Sequence, residues 1–115
     1  MADYNNNYKR QGHEFPYVST YYYNPTPAPG TSITILLYIS DYFQREYAYN
    51  DKTEKFTLRY EVDGQVKTIP NVPAGDYDLV LGALSPGEHW FSVQVTDSHG
   101  YSSFRLYNEL LVKSS

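Results

Sequence analysis

The sequence FTLRYEVDGQVKTI, residues 56–69, predicts a β-hairpin. Every second residue from Phe56 to Val62 is apolar and the residues between them are mostly polar, which is the pattern of a strand with one buried face. Asp63-Gly64 follows directly, and this dipeptide tolerates the positive φ values of a two-residue hairpin turn. Residues 66–69 can then return alongside the first strand.

Strand signals of the same kind lie on both sides of this hairpin. No segment shows a sustained stripe with the 3.6-residue period of a helix. Residues 41–55 form the only long gap without alternation after residue 30, and the gap is compatible with a loop, an extra strand or one helical turn. The other alternating segments are residues 33–39, in which Leu36 is the one exception, residues 77–81 and residues 88–97.

Turn and breaker residues set the expected ends of these strands. Asp97 and Gly100 stand first and last in a four-residue segment, as a type I turn with a glycine bulge prefers. Residues 101–112 should therefore return as the last strand. Pro70 and Pro73 are expected to close the second strand of the first hairpin, because proline cannot donate to a ladder.

These signals predict an all-β, two-layer antiparallel sandwich of about seven strands, spanning residues 31–115. Residues 1–30 are interpreted as an N-terminal arm, because the segment NPTPAPG carries three prolines and reads as a stiff connector or an edge strand. The arm is expected to contact a neighbouring subunit, with folding back on its own sheet as the alternative. The expected core consists of Ile35, Leu37, Phe56, Leu58, Tyr60, Leu79, Phe91, Val93 and Val95.

Composition excludes several classes of protein. Cysteine is absent, which rules out disulfides, thiolate nucleophiles and cysteine metal sites. The net charge is −4, with 13 acidic and 9 basic residues scattered along the chain, so no basic stripe predicts nucleic-acid binding. No apolar run has the length of about 20 residues that spans a bilayer, so membrane insertion is not expected. The first residues, MADYNNNYKRQG, lack the apolar stretch of a secretory signal.

Candidate catalytic groups are few, and we expect no enzyme activity. Asp97, Ser98 and His99 carry the residue types of a hydrolase triad, but three consecutive residues of a tight turn cannot converge on one another. Asp76 and Asp78 have the spacing of paired carboxylates, about 6.6 Å along one strand face. Neighbours on one face do not flank a substrate from opposite sides, so we interpret them as surface acids.

Metal sites and cofactors are not expected either. His13, His89 and His99 share no zinc-ligand spacing. Calcium is left open for loop aspartates that could meet at one end of a sandwich, although the chain has no DxDxDG loop. These aspartates are Asp41, Asp51, Asp63 and Asp97.

The aromatic surplus is the feature that points to a function. The chain has 14 tyrosines, more than one small core can absorb, so several should be exposed. Exposed aromatic rings anchor protein partners, stack on sugars, or pair across solvated strands. The candidate interface residues are Tyr21, Tyr22, Tyr23, Tyr42, Tyr47, Tyr49, Trp90, Tyr101 and Tyr107.

The stretch LSPGEHWFSVQVTDSHGYSS, residues 84–103, resembles the penultimate hairpin of immunoglobulin-like domains, including the PKD and fibronectin type III groups. Residues 32–65 are similar to the corresponding upstream strands of such modules in phage tail and virion proteins and in bacterial surface proteins. Two departures are clear. The position of a fibronectin-type tyrosine corner, six residues after Leu84, holds Trp90, with His89 beside it, and the paired cysteines of antibody domains are missing.

The resemblance implies an immunoglobulin-like sandwich that acts as a non-catalytic structural or interaction module. We expect it in a virion, as an accessory tail or capsid-associated protein, or at a cell surface or outside the cell. The expected partner is another protein or a second copy of the chain. The alternative is a carbohydrate-binding accessory module that holds a surface sugar.

Overall fold

The computed structural model describes residues 16–40 and 54–114, which form seven β-strands in two antiparallel sheets. The three-stranded sheet contains β1 (Tyr17–Tyr22), β2 (Ile33–Ser40) and β5 (Gly75–Gly82), in the order β1-β2-β5. The four-stranded sheet contains β3 (Lys55–Val62), β4 (Gln65–Pro73), β6 (Gly87–Thr96) and β7 (Leu106–Val112), in the order β4-β3-β6-β7. The all-β immunoglobulin-like sandwich is confirmed.

The core lies between the sheets and is built from one face of each strand. The residues expected there from the alternation all pack in one cluster, with Tyr60 only half-buried at its margin. The cluster also contains Val18, Val72 and Leu110, which the sequence patterns did not single out. No helix long and apolar enough to cross a bilayer occurs in the described residues.

The hairpin of β3 and β4 is confirmed, with one difference. Val62 pairs with Gln65 across a turn in which Asp63 and Gly64 have φ values of 50° and 92°. The expectation that Pro70 takes part in closing β4 was wrong, because the strand passes through it to Pro73. A register shift between residues 69 and 72 accommodates the proline, and β4 is an edge strand, where a missing donor is tolerated.

The turn between β6 and β7 is also where sequence placed it. The Gly100 amide donates to the Asp97 carbonyl at 3.2 Å, and Gly100 has a φ of 93°. Regular pairing, however, begins at Leu106 and not at residue 101. Thr96 faces Ser102, one residue out of step with the later pairs, and the buried Ser103 hydroxyl accepts from the Val95 amide at 3.0 Å. A bulge therefore separates the turn from the last strand.

The predicted boundary at residue 30 comes too late, because β1 is part of the sandwich. Val18 pairs with Ile39 and is buried. Polar residues interrupt the alternation in this strand, so its residues do not show a clear strand pattern. The proline segment then lies along β7, where the Pro25 carbonyl accepts from the Leu111 amide at 2.7 Å. For residues 1–15, which lie outside the described residues, the arm stays a prediction.

Candidate functional site

The fold separates the candidate interface aromatics instead of gathering them on one surface. Tyr21 and Tyr22 lie on the outer side of the three-stranded sheet, whereas Trp90 and Tyr107 lie on the outer side of the four-stranded sheet. Tyr101 belongs to the turn between β6 and β7, where its amide donates to the Asp97 side chain. The remaining candidates divide into Tyr23, which is half-buried, and Tyr42, Tyr47 and Tyr49, which lie outside the described residues.

Tyr23 has a structural role in the sandwich. Its ring packs edge-on against Phe91, with the ring centroids 5.2 Å apart. Its hydroxyl donates to the Glu109 carbonyl at 2.8 Å. Tyr23 thus ties the segment after β1 to the core and to β7, and its place in an interface stays a prediction.

The register of β6 and β7 builds a continuous surface around Trp90. Trp90 pairs with Glu109 and Glu88 pairs with Leu111, so all four side chains point away from the core. Tyr107 extends the surface, with its ring centroid 6.1 Å from that of Trp90 and the two planes inclined at 43°. A groove of about 440 Å³ opens here, which we call the Trp90 groove; it is lined by Pro25, Glu88, His89, Trp90, Glu109, Leu110 and Leu111.

Two acidic side chains, Glu88 and Glu109, line the Trp90 groove. Within residues 16–40 and 54–114, the carboxylates of Glu88 and Glu109 form no ion pair. The Arg105 guanidinium on the same side of the sheet donates to the Tyr107 hydroxyl at 3.1 Å instead. Trp90 is 37 % exposed, so much of its ring is covered and the remainder faces solvent.

The β3–β4 turn fixes the strand that presents Trp90. One carboxylate oxygen of Asp63 accepts from the Trp90 amide at 3.0 Å, and the Asp63 amide donates to the Trp90 carbonyl at 3.1 Å. The second carboxylate oxygen contacts His89 Nδ1 at 2.5 Å, while His89 Nε2 lies 2.7 Å from the Ser85 carbonyl. His89, one residue before the expected tyrosine-corner position, therefore makes the bond back to the upstream backbone.

His89 and Asp63 each favour the charged form of the other. The hydrogen bond to Asp63, and after it the one to Ser85, raise the pKa of His89 above its ordinary value against an opposing effect of partial burial. Burial acts to raise the pKa of Asp63, but the hydrogen bonds from His89 and the Trp90 amide outweigh it and lower that pKa. Both shifts favour the charged forms, so an imidazolium–carboxylate pair holds the turn against β6.

The Asp97–Ser98–His99 segment does not form a hydrolase triad. The Ser98 hydroxyl donates to the Glu54 carboxylate at 2.9 Å, and the Ser98 amide donates to the same group at 3.0 Å. His99 Nδ1 lies 3.9 Å from Glu54. The arrangement is a turn held to the start of β3 by a carboxylate.

The structure bears on two predictions, one about calcium at the loop aspartates and one about metal sites at the histidines. Asp63 and Asp97 lie at opposite ends of the four-stranded sheet, so these two do not gather at one calcium site; Asp41 and Asp51 lie outside the described residues. His99, by contrast, shares a cluster with Glu54 and Asp97 whose potential ligand atoms all lie within 4.8 Å of one another. Sequence spacing could not show this, since Glu54 lies just before β3, far from Asp97 and His99 in the sequence.

Comparisons with known proteins agree with the fold. No family model matches the sequence, and no curated protein sequence matches it either. The chain is similar in structure to the PKD domain of an M14-like peptidase from a Thermoplasmatales archaeon, with a TM-score of 0.62 and 14 % identity over 87 % of this chain and 94 % of that one. It is also similar to the fibronectin(III)-like modules of Clostridium thermocellum CbhA, with a TM-score of 0.54 and 18 % identity over 84 % and 97 %.

The chain has the immunoglobulin-like β-sandwich fold shared by PKD and fibronectin(III)-like modules.

Proposed function

We propose that the chain is a non-catalytic interaction module that docks a partner protein at the Trp90 groove. The observation that carries this proposal is the group of exposed apolar side chains formed by Trp90, Tyr107 and Leu111, which share one surface with the carboxylates of Glu88 and Glu109. Protein interfaces combine aromatic and aliphatic side chains with polar groups in this way. The setting we propose is an accessory protein of a phage tail or capsid, or a bacterial surface protein, and it rests on the sequence resemblance alone.

The inclination of the two rings favours a protein over a sugar. A sugar-binding platform needs aromatic faces aligned in one plane, whereas Trp90 and Tyr107 are inclined at 43°. Inclined rings leave pockets that side chains can fill, because aromatic anchors contribute most when they are enclosed. Binding of a carbohydrate at the Trp90 groove is therefore the alternative result that the test below distinguishes.

Intrinsic fluorescence gives a direct test, because Trp90 is the only tryptophan in the chain. If a second copy is the partner, raising the protein concentration should shift Trp90 emission to the blue and protect it from iodide quenching. Light scattering after size-exclusion chromatography should report the oligomer over the same range. Soluble oligosaccharides of β-linked glucose and of N-acetylglucosamine should leave the emission unchanged.

Matched substitutions locate the contact. Leu111→Ser removes an exposed aliphatic side chain from the groove, and Val80→Ser removes one from the opposite sheet. We expect only Leu111→Ser to abolish the concentration-dependent shift. A shift caused by oligosaccharide would favour the carbohydrate function, and equal loss in both variants would contradict docking at the groove. A protein that stays monomeric with unchanged emission would restrict the partner to a different protein, to be tested with proteins encoded beside it.

A further inference from the structure

The three-stranded sheet has a one-sided charge. Its strands β1, β2 and β5 contain two acidic residues, Asp76 and Asp78, and neither lysine nor arginine. The four-stranded sheet, in contrast, carries Lys55, Arg59 and Lys67 among its acids. The outer side of the smaller sheet is therefore a locally negative surface, which attracts cations independently of the net charge of the chain.

Both aspartates face solvent beside aromatic rings. Asp76 pairs with Tyr38 and Asp78 pairs with Leu36, so the two carboxylates point to the outer side with a separation of about 6.6 Å along β5. In residues 16–40 and 54–114 neither carboxylate has a hydrogen bond or an ion pair. Like charges this close on one face repel each other, so an added cation would relieve them.

Tyr21 and Tyr22 complete the surface from the other edge. Tyr22 lies opposite Leu36, and the register shift between Thr20 and Tyr22 leaves both tyrosines exposed, at 52 % and 62 %. Loss of hydration, and after it the charges of Asp76 and Asp78, raise the pKa of Tyr21, which places its hydroxyl near those carboxylates. We call Tyr21, Tyr22, Asp76, Asp78 and Val80 the tyrosine–aspartate face.

We propose that the tyrosine–aspartate face binds an extended basic segment of a partner protein, in which lysine or arginine occupies every second position. Side chains at alternate positions of an extended chain lie about 6.6 Å apart on one side, the same separation as that of Asp76 and Asp78. The cationic groups would pair with the carboxylates, and their guanidinium or ammonium ends would lie against the Tyr21 ring beyond them.

The edge strand β5 is open to pairing with an extended segment, whereas the edges of the four-stranded sheet are blocked by prolines. Pro70 and Pro73 lie within β4, and Pro25 and Pro27 lie along β7. The edge strand β5 contains no proline and pairs only with β2 among the described strands. An extended segment can thus hydrogen-bond to β5 while its basic side chains reach Asp76 and Asp78. This site lies on the other sheet and does not depend on the Trp90 groove.

A synthetic peptide in which arginine alternates with threonine is the probe. Its affinity is measured by fluorescence anisotropy, and its position by amide chemical shifts of the full-length protein. We expect shifts centred on Tyr21, Asp76, Asp78 and Val80, and weaker binding as salt is added. A peptide of the same composition with its arginines in one block keeps the charge and loses the spacing. It should bind about five-fold more weakly, since only one of two surface ion pairs can form well.

Charge-matched variants separate this site from the overall charge of the protein. Asp76→Asn with Asp78→Asn removes two carboxylates from the face, and Glu88→Gln with Glu109→Gln removes two from the opposite sheet. We expect the first pair to weaken binding about ten-fold and the second to leave it unchanged. Equal weakening in both variants, or shifts confined to the four-stranded sheet, overturns the proposal.

Two further outcomes would overturn the proposed peptide site. The first is that Asp76 and Asp78 only prevent β5 from pairing with the edge strand of another molecule, a known role of acidic side chains on edge strands. In that case the Asp76→Asn, Asp78→Asn variant self-associates while its affinity for the alternating peptide matches that of the wild type. The second outcome is that the wild-type protein does not bind the alternating peptide even at low salt. Thermal unfolding of each variant confirms that the fold is kept, because substitutions of exposed residues change stability little.

Discussion

His89 lies between two hydrogen-bond acceptors, the Asp63 carboxylate and the Ser85 carbonyl. Neutral imidazole has a single N–H, so only the protonated ring can donate to both. The pKa of His89 is raised in the folded protein, mainly by the bond to Asp63. Its contribution to stability is therefore complete below the unfolded value near 6.5 and is lost as the pH rises through the folded value. The contribution of Asp63, whose pKa is lowered, is lost only toward acid.

The His89–Asp63 pair should thus stabilise the protein most in mildly acidic solution. We expect His89→Gln to cost about 2 kcal/mol there, and less as the pH rises to about 9. Chemical unfolding of both proteins across this range measures the difference. His99→Gln is the control, because the exposed His99 ring is not part of the His89–Asp63 pair. The stability of this variant should change with pH in the same way as that of the wild type. A constant difference between wild type and His89→Gln would show that His89 acts by packing alone.

Phe91 and Phe104 offer the same substitution in opposite environments. Phe91 is fully buried and contacts Tyr23, whereas Phe104 is 68 % exposed. We expect Phe91→Ala to lower the free energy of unfolding by about 3 to 5 kcal/mol, through lost burial and a cavity. Phe104→Ala should change it by about 0.5 kcal/mol or less. Similar losses in denaturant titrations of the two variants would mean that Phe91 is not at the centre of the core.

Gly100 occupies a backbone conformation that other residues resist. Its φ is 93°, and a Cβ added there would meet no atom within 4 Å, so any penalty comes from the backbone. We expect Gly100→Val to destabilise the protein by more than about 1 kcal/mol, because β-branched residues avoid positive φ. Gly100→Asn should cost less, since asparagine visits this region more readily. Equal unfolding midpoints for wild type and the valine variant would refute the turn geometry.

The first strand shows how an element can be tied in by contacts at both ends. β1 pairs along β2, and Tyr23 and the proline segment then cross to β7 on the other sheet. Deleting residues 1–24 removes Val18 and Tyr23 from the core. We expect a loss of more than about 2 kcal/mol, the transfer free energy of the buried side chains.

Deleting residues 1–15 alone tests the proposed assembly arm. If those residues contact a neighbour, the shorter protein should keep its unfolding midpoint and lose association in light scattering. If it loses stability instead, or if the full-length protein never associates, an assembly arm is ruled out.

At the scale of the molecule, the two proposed binding surfaces lie on opposite sides of the sandwich. Sheets in a sandwich are about 10 Å apart and the two faces share no side chain, so they should act independently. We expect Leu111→Ser to change the affinity for the alternating peptide by less than about two-fold. Anisotropy titrations of the single and combined variants measure this. A larger change would indicate coupling through the core, and independence would allow the module to bridge two partners.

Local alternation is enough to predict the strands that have one regular apolar face. In residues 33–39, 56–62 and 88–97 alternation places most side chains correctly, because successive side chains of a strand point to opposite sides. Ser92 is an exception: alternation predicts that it is exposed, but it is buried. Asp63-Gly64 and Asp97 with Gly100 fixed the two hairpin turns, since local backbone preference decides a turn of this length.

The contacts between distant segments, in contrast, become visible only in the folded chain. β1 has too little apolar alternation to be recognised alone, and it is held by pairing with β2, by Val18 in the core and by Tyr23 against Phe91. Alternation along the sequence cannot show that Tyr23 packs inward while Tyr21 and Tyr22 stay exposed, because the register shift between Thr20 and Tyr22 interrupts the pattern there. The Trp90 groove and the tyrosine–aspartate face likewise arise from pairing between strands far apart in sequence, a relation that depends on register and that no local pattern encodes.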